Sequence, residues 1–103
     1  MKTAQDFINK LSRLTWVSID GDSITSEEGF TLSWSHKLHS FGFQLIARVT
    51  KGDVYIMTWG FESSADEKAF GQWLHPIKND VRTKYYEAKK EAENTAENEF
   101  NAI

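Results

Sequence analysis

The chain has 103 residues, with 12 Lys and Arg against 15 Asp and Glu, a formal net charge of −3 and no cysteine. Its 14% aromatic content excludes an intrinsically disordered chain, which is poor in large apolar side chains, and its length suits a single compact domain, 1–103, and not two. The absence of cysteine excludes disulfides, thiolate nucleophiles and Cys-ligated zinc, and the mild acidity argues against unspecific attraction to nucleic acid or anionic lipid.

Thr3 and Asp6 have capping-box spacing, and Phe7, Ile8, Leu11 and Leu14 follow at intervals of one, three and three. That single apolar stripe predicts a helix over 4–14. From Trp16 the period changes to two. Trp16 to Ile19 reads as a strand running into Asp20-Gly21-Asp22, a strong turn signal, and Ser23-Ile24-Thr25 as its short return. Phe30 to Ser35 alternates apolar with hydroxyl side chains, as a half-buried strand does. His36 to Gly42 reads as a loop.

Two strand-like runs then flank Lys51-Gly52-Asp53. A three-residue loop there sets Val49 against Tyr55, Ala47 against Met57, Leu45 against Trp59 and Phe43 against Phe61. All eight share one uncharged face. Gln44, Ile46, Arg48, Thr50, Val54, Ile56, Thr58 and Gly60 fall on the other. A two-residue Gly-Asp loop sets Val49 against Ile56 and mixes the faces, so the segregated register is expected.

Ser64 and Glu67 form a second capping box before Phe70, Trp73 and Leu74, which predicts a helix over 64–75. Pro76 lacks an N–H and crowds the preceding turn, so a separate helix is expected over 76–98. Its stripe of Ile77, Val81, Tyr85, Ala88, Ala92 and Ala96 narrows to alanine, and past about residue 92 its end is expected to fray or to meet a partner. The predicted class is α+β. It has two layers, an antiparallel sheet of four to five short strands over 15–61 and the helices on one side.

Signals for chemistry are few. His36 and His39 are two imidazoles without the further ligands zinc requires. Asp20-Gly21-Asp22 lacks a calcium loop's oxygen ligand at its fifth position, which is Ile24, and its glycine at the sixth. No Gly-x-Ser-x-Gly elbow, phosphate loop or dinucleotide fingerprint occurs. A small hydrolase or metal-dependent enzyme is therefore unsupported, and the expectation is a protein with no catalytic residue, metal or cofactor.

The expected activity is protein binding. Ile46, Val54 and Ile56, framed by Gln44, Arg48 and Thr58, form an apolar patch with a polar rim on the sheet face away from the helices. Asp20, Asp22, Glu27 and Glu28, with the acids of the last helix, are the expected contact charges toward a basic partner surface. The partner is an unidentified protein or a second copy docked across Ile46 and Ile56. Small acidic cysteine-free domains of this kind suit a phage or mobile-element inhibitor of a host protein. No apolar run approaches the roughly 20 residues needed to cross a bilayer, so no membrane role and a cytoplasmic location are expected. Two alternatives stay open. The first helix could instead cover the Ile46 face, giving three layers. Sheet aromatics with Arg48, Lys51 and Lys37 could stack single-stranded nucleic acid.

Overall fold

The computed structural model describes residues 2–40 and 42–103. Thr3 opens α1 (Ala4–Leu11). Its hydroxyl accepts from the Asp6 N–H at 3.1 Å, and the Asp6 carboxylate accepts from the Thr3 N–H at 3.1 Å, so two helix-start donors are satisfied reciprocally. The helix ends at Leu11, short of the expected 14. There the Ser12 hydroxyl donates to the Ile8 carbonyl at 2.8 Å, and the Trp16 indole N–H donates to the Leu11 carbonyl at 3.1 Å. These bonds take up carbonyls that the helix end orphans.

Five antiparallel strands follow as a meander in chain order: β1 (Trp16–Asp20), β2 (Ser23–Ser26), β3 (Phe30–His39), β4 (Gly42–Lys51) and β5 (Val54–Gly60). Two of the hairpins share one turn chemistry. Asp20 pairs with Ser23 and Lys51 with Val54, leaving Gly21-Asp22 and Gly52-Asp53 as two-residue loops. Gly21 and Gly52 have φ of 56° and 57°, and no residue other than glycine has positive φ among those described. Glycine at the first loop position is the type II′ requirement.

The expected loop over 36–42 gives way to ribbon. β3 and β4 pair continuously from Phe30 with Lys51 to His39 with Gly42, and Phe41, inside that expected loop, lies outside the described residues. The ribbon overhangs the helices, so Phe43, expected in the core opposite Phe61, is 70% exposed beside its equally exposed partner Leu38.

Ile24, Leu32, Leu45, Ala47 and Val49 bury one face of the sheet. Phe7 of α1 stacks on Trp59 with centroids 5.6 Å apart and planes 11° from parallel. Phe61, just past β5, packs on Phe70 at 4.8 Å, and Trp16 meets Trp73 edge-on at 6.2 Å. Both helices therefore sit on the same face, and the three-layer alternative is overturned. The α+β class with an antiparallel sheet stands.

The C-terminal segment is one helix, α2 (Ser64–Asn101), with Pro76 inside it. The expected break at Pro76 does not occur. Proline removes one bond, to the Gln72 carbonyl, but Gln72 and Pro76 are both exposed, so water can serve that carbonyl. Phe70, Leu74 and Val81 meanwhile hold both sides of the proline to one core. The cap also differs from expectation. Ser63 accepts from the Asp66 N–H at 3.1 Å, while Glu67 reaches across to accept from the Leu45 N–H at 3.3 Å.

Candidate interaction surface

The β4–β5 hairpin decides which side chains face away from the helices. Its two-residue loop pairs Thr50 with Tyr55, but the ladder then shifts and pairs Val49 with Met57 and Ala47 with Trp59. Ile56 is left unpaired, as the extra residue of a β-bulge. The three-residue loop expected from hydrophobic segregation is overturned, although the segregation itself survives for Val49, Ala47, Met57 and Trp59.

The bulge exchanges two residues between faces. Tyr55, expected to be buried, joins Arg48, Thr50 and Thr58 on the open side. The Arg48 guanidinium lies 5.4 Å from its ring centroid, and its hydroxyl donates to Thr58 at 2.9 Å. Ile56, expected on the open face, instead lines a groove of about 290 Å³ with Phe7, Leu14, Phe30 and Met57. Val54 pairs with Lys51, whose ammonium lies 5.0 Å from the Phe30 centroid, so Val54 also leaves the open face. Ile46 and Ile56 lie on opposite sides of the sheet. No single surface can dock a second copy across both.

What remains open is mainly polar. Gln44, Ile46, Arg48 and Thr58 are joined by Ser33, Ser35 and Lys37, which pair with Arg48, Ile46 and Gln44. Part of this surface is a shallow depression of about 500 Å³ containing Ile46, Arg48 and Thr58. Gly60 lies opposite Ile46 and leaves room for Gln44, since a Cβ there would come within 2.9 Å of the Gln44 amide nitrogen. Toward β2 the face ends in a hydroxyl pair, Thr25 with Thr31 at 3.1 Å.

The acidic residues are dispersed. Asp20 and Asp22 sit at the β1–β2 hairpin tip and are exposed. Glu27 is exposed in the next turn, but Glu28 is occupied, accepting from the Thr15 N–H at 2.7 Å. Its role is to tie the α1–β1 loop to the sheet. Of the two loop histidines, His36 is exposed on β3, and the His39 side chain lies outside what the structure describes. No three His, Asp or Glu gather to hold a metal among the described residues. Among the described residues no helix is long and apolar enough to cross a membrane.

Among the described residues the one perturbed titratable group is Asp6. The Lys2 N–H, then the Thr3 hydroxyl and N–H, hold its carboxyl below the usual range. The cause is local hydrogen bonding to the charged form, at the helix start and away from the open face. Comparison with protein-family models, characterised proteins and solved structures finds no match.

Proposed function

We propose that the protein is a non-catalytic protein-binding module whose contact surface is the open sheet face centred on Ile46, Arg48, Tyr55 and Thr58. The observation that carries this reading is the one-sided packing. Both helices cover the same face, so the opposite face presents an ordered, hydroxyl-rich surface with one aliphatic, one aromatic and one guanidinium group at its centre. Tyr and Arg are the side chains that most often dominate binding energy, because each combines apolar area with directed polar atoms. Asp20 and Asp22 would steer a basic partner from the rim, acting on association rate more than on affinity. An inhibitor of a host protein in the cytoplasm is the role that suits such a module.

The test compares capture of proteins from the native host by the wild-type chain and by Ile46→Lys/Arg48→Glu/Tyr55→Ala. A partner held by the wild type and lost by an equally stable variant supports the reading. A partner retained by the variant sinks it.

Tyr55 exposed beside Arg48 favours a second reading, stacking of single-stranded nucleic acid. One ring with Arg48 and Lys37 is a sparse platform, which ranks this reading lower. Titration with labelled single strands decides it, because that mode demands affinity falling steeply between about 50 and 200 mM salt.

A further inference from the structure

Val81 is the last buried residue of α2, and every residue from Arg82 onward is exposed. The helix nevertheless continues to Asn101. At about 1.5 Å per residue this arm projects roughly 30 Å, in a molecule measuring 63 Å by 24 Å by 22 Å. In proteins most helical stability comes from packing of an apolar face and not from propensity alone. Tyr85, Ala88, Ala92 and Ala96 extend the stripe on which Leu74 and Val81 are buried, and nothing in the chain covers it. Tyr85 is 62% exposed, and Ile103, seven residues beyond Ala96, is fully exposed.

The arm is also electrically divided. Arg82, Lys84, Lys89 and Lys90 face only Glu87 in its first half, while Glu91, Glu93, Glu97 and Glu99 occupy the second half with no cation. Acids near a helix C-terminus oppose the macrodipole, and the last turn of α2 holds no basic residue. The one ion pair among the described residues is Lys84 with Asp80 at 3.1 Å. The other charges of the arm have no ion partner there.

We propose that residues 82–103 pair antiparallel with the same segment of a second copy. This surface is separate from the sheet face and does not depend on its function. In the antiparallel orientation each basic half lies against the partner's acidic half, and the two helix dipoles oppose. In a parallel pair like charges meet along the whole arm. With the two-fold axis at Ala92, Ala88 of one protomer meets Ala96 of its partner, the self-complementary pattern that a two-fold interface requires. Alanine at the seam admits an interaxial distance near the short end of the ~8–10 Å range.

Sedimentation at chain concentrations up to about 100 μM is expected to show a dimer. Lys89→Glu/Lys90→Glu and Glu91→Lys/Glu93→Lys are each expected to sediment as monomers, and their equimolar mixture to recover the dimer. Because the chain has no cysteine, single cysteines report orientation. Ala92→Cys at the axis is expected to cross-link on mild oxidation, and Tyr85→Cys is not. A monomer at every concentration overturns the proposal. So does a dimer lost on Ile46→Lys but kept in the charge variants, or equal cross-linking at 85 and 92. Residues 85 and 89–93 are all exposed, so an unchanged thermal transition in each variant shows that the fold is intact.

Discussion

The Arg48 guanidinium lies 5.4 Å from the Tyr55 ring centroid, on the sheet face that neither helix covers. Both residues are exposed, and their contact exists because the bulge at Ile56 turns Tyr55 away from the core. A cation–π pair at an exposed site contributes about 0.5–1 kcal/mol. A double-mutant cycle with Arg48→Ala and Tyr55→Ala is expected to return a coupling energy in that range, read by urea denaturation. Zero coupling would show that the two side chains do not hold each other in solution.

Gly52 carries φ of 57° in the loop that sets this hairpin. An L-residue pays about 1–2 kcal/mol in the left-handed region. Nothing lies within 4 Å of a Cβ built there, so the cost is conformational and not steric. Gly52→Ala should lower the urea midpoint by the equivalent of that energy with an unchanged slope. A neutral substitution would mean that the turn has another geometry.

Asp6 is held below the usual carboxylate range by hydrogen bonds from Lys2 and Thr3. A carboxyl whose folded pKa is depressed contributes stability above its unfolded pKa and loses it as pH falls through the folded value. Acidification through and below the ordinary Asp range should therefore destabilise the wild type at α1. Asp6→Asn removes this component, so its urea midpoint should change less over the same acid window. Parallel profiles for the two proteins would contradict the cap's role.

Phe70 and Phe43 look alike in the sequence and differ by position. Phe70 is 1% exposed against Phe61, and Phe43 is 70% exposed. Phe70→Ala should cost about 3–5 kcal/mol, whereas Phe43→Ala should stay within about 0.5 kcal/mol. Comparable losses would place Phe43 under the helices after all.

Hydrophobic period and turn chemistry make most of this architecture readable before any coordinates. Thr3 and Asp6, the Gly-Asp turns and the alternation through Phe30, Leu32 and Trp34 are local signals with local causes. The hairpin misled because two correct signals were set against each other. Gly52-Asp53 calls for a two-residue loop, and segregation of Val49 and Ala47 calls for a register that such a loop does not give. A bulge satisfies both by leaving Ile56 unpaired, and it moves Tyr55 into the candidate surface. An unpaired residue needed to reconcile loop length with face polarity was the signal available.

Outside the 36–42 segment, the sequence alone determined the element types, the meander and the buried stripes of α1 and α2, because each follows from side-chain spacing within one segment. It also set the division of charge along the last helix. Only the tertiary structure decided that both helices share one face, that α2 runs unbroken through Pro76, and that Ile46 and Ile56 part company across the sheet. Those outcomes depend on free energies summed over distant residues. Burying Phe7, Phe61, Phe70 and Trp16 together outweighs a hydrogen bond lost at a proline, and no single segment contains that comparison.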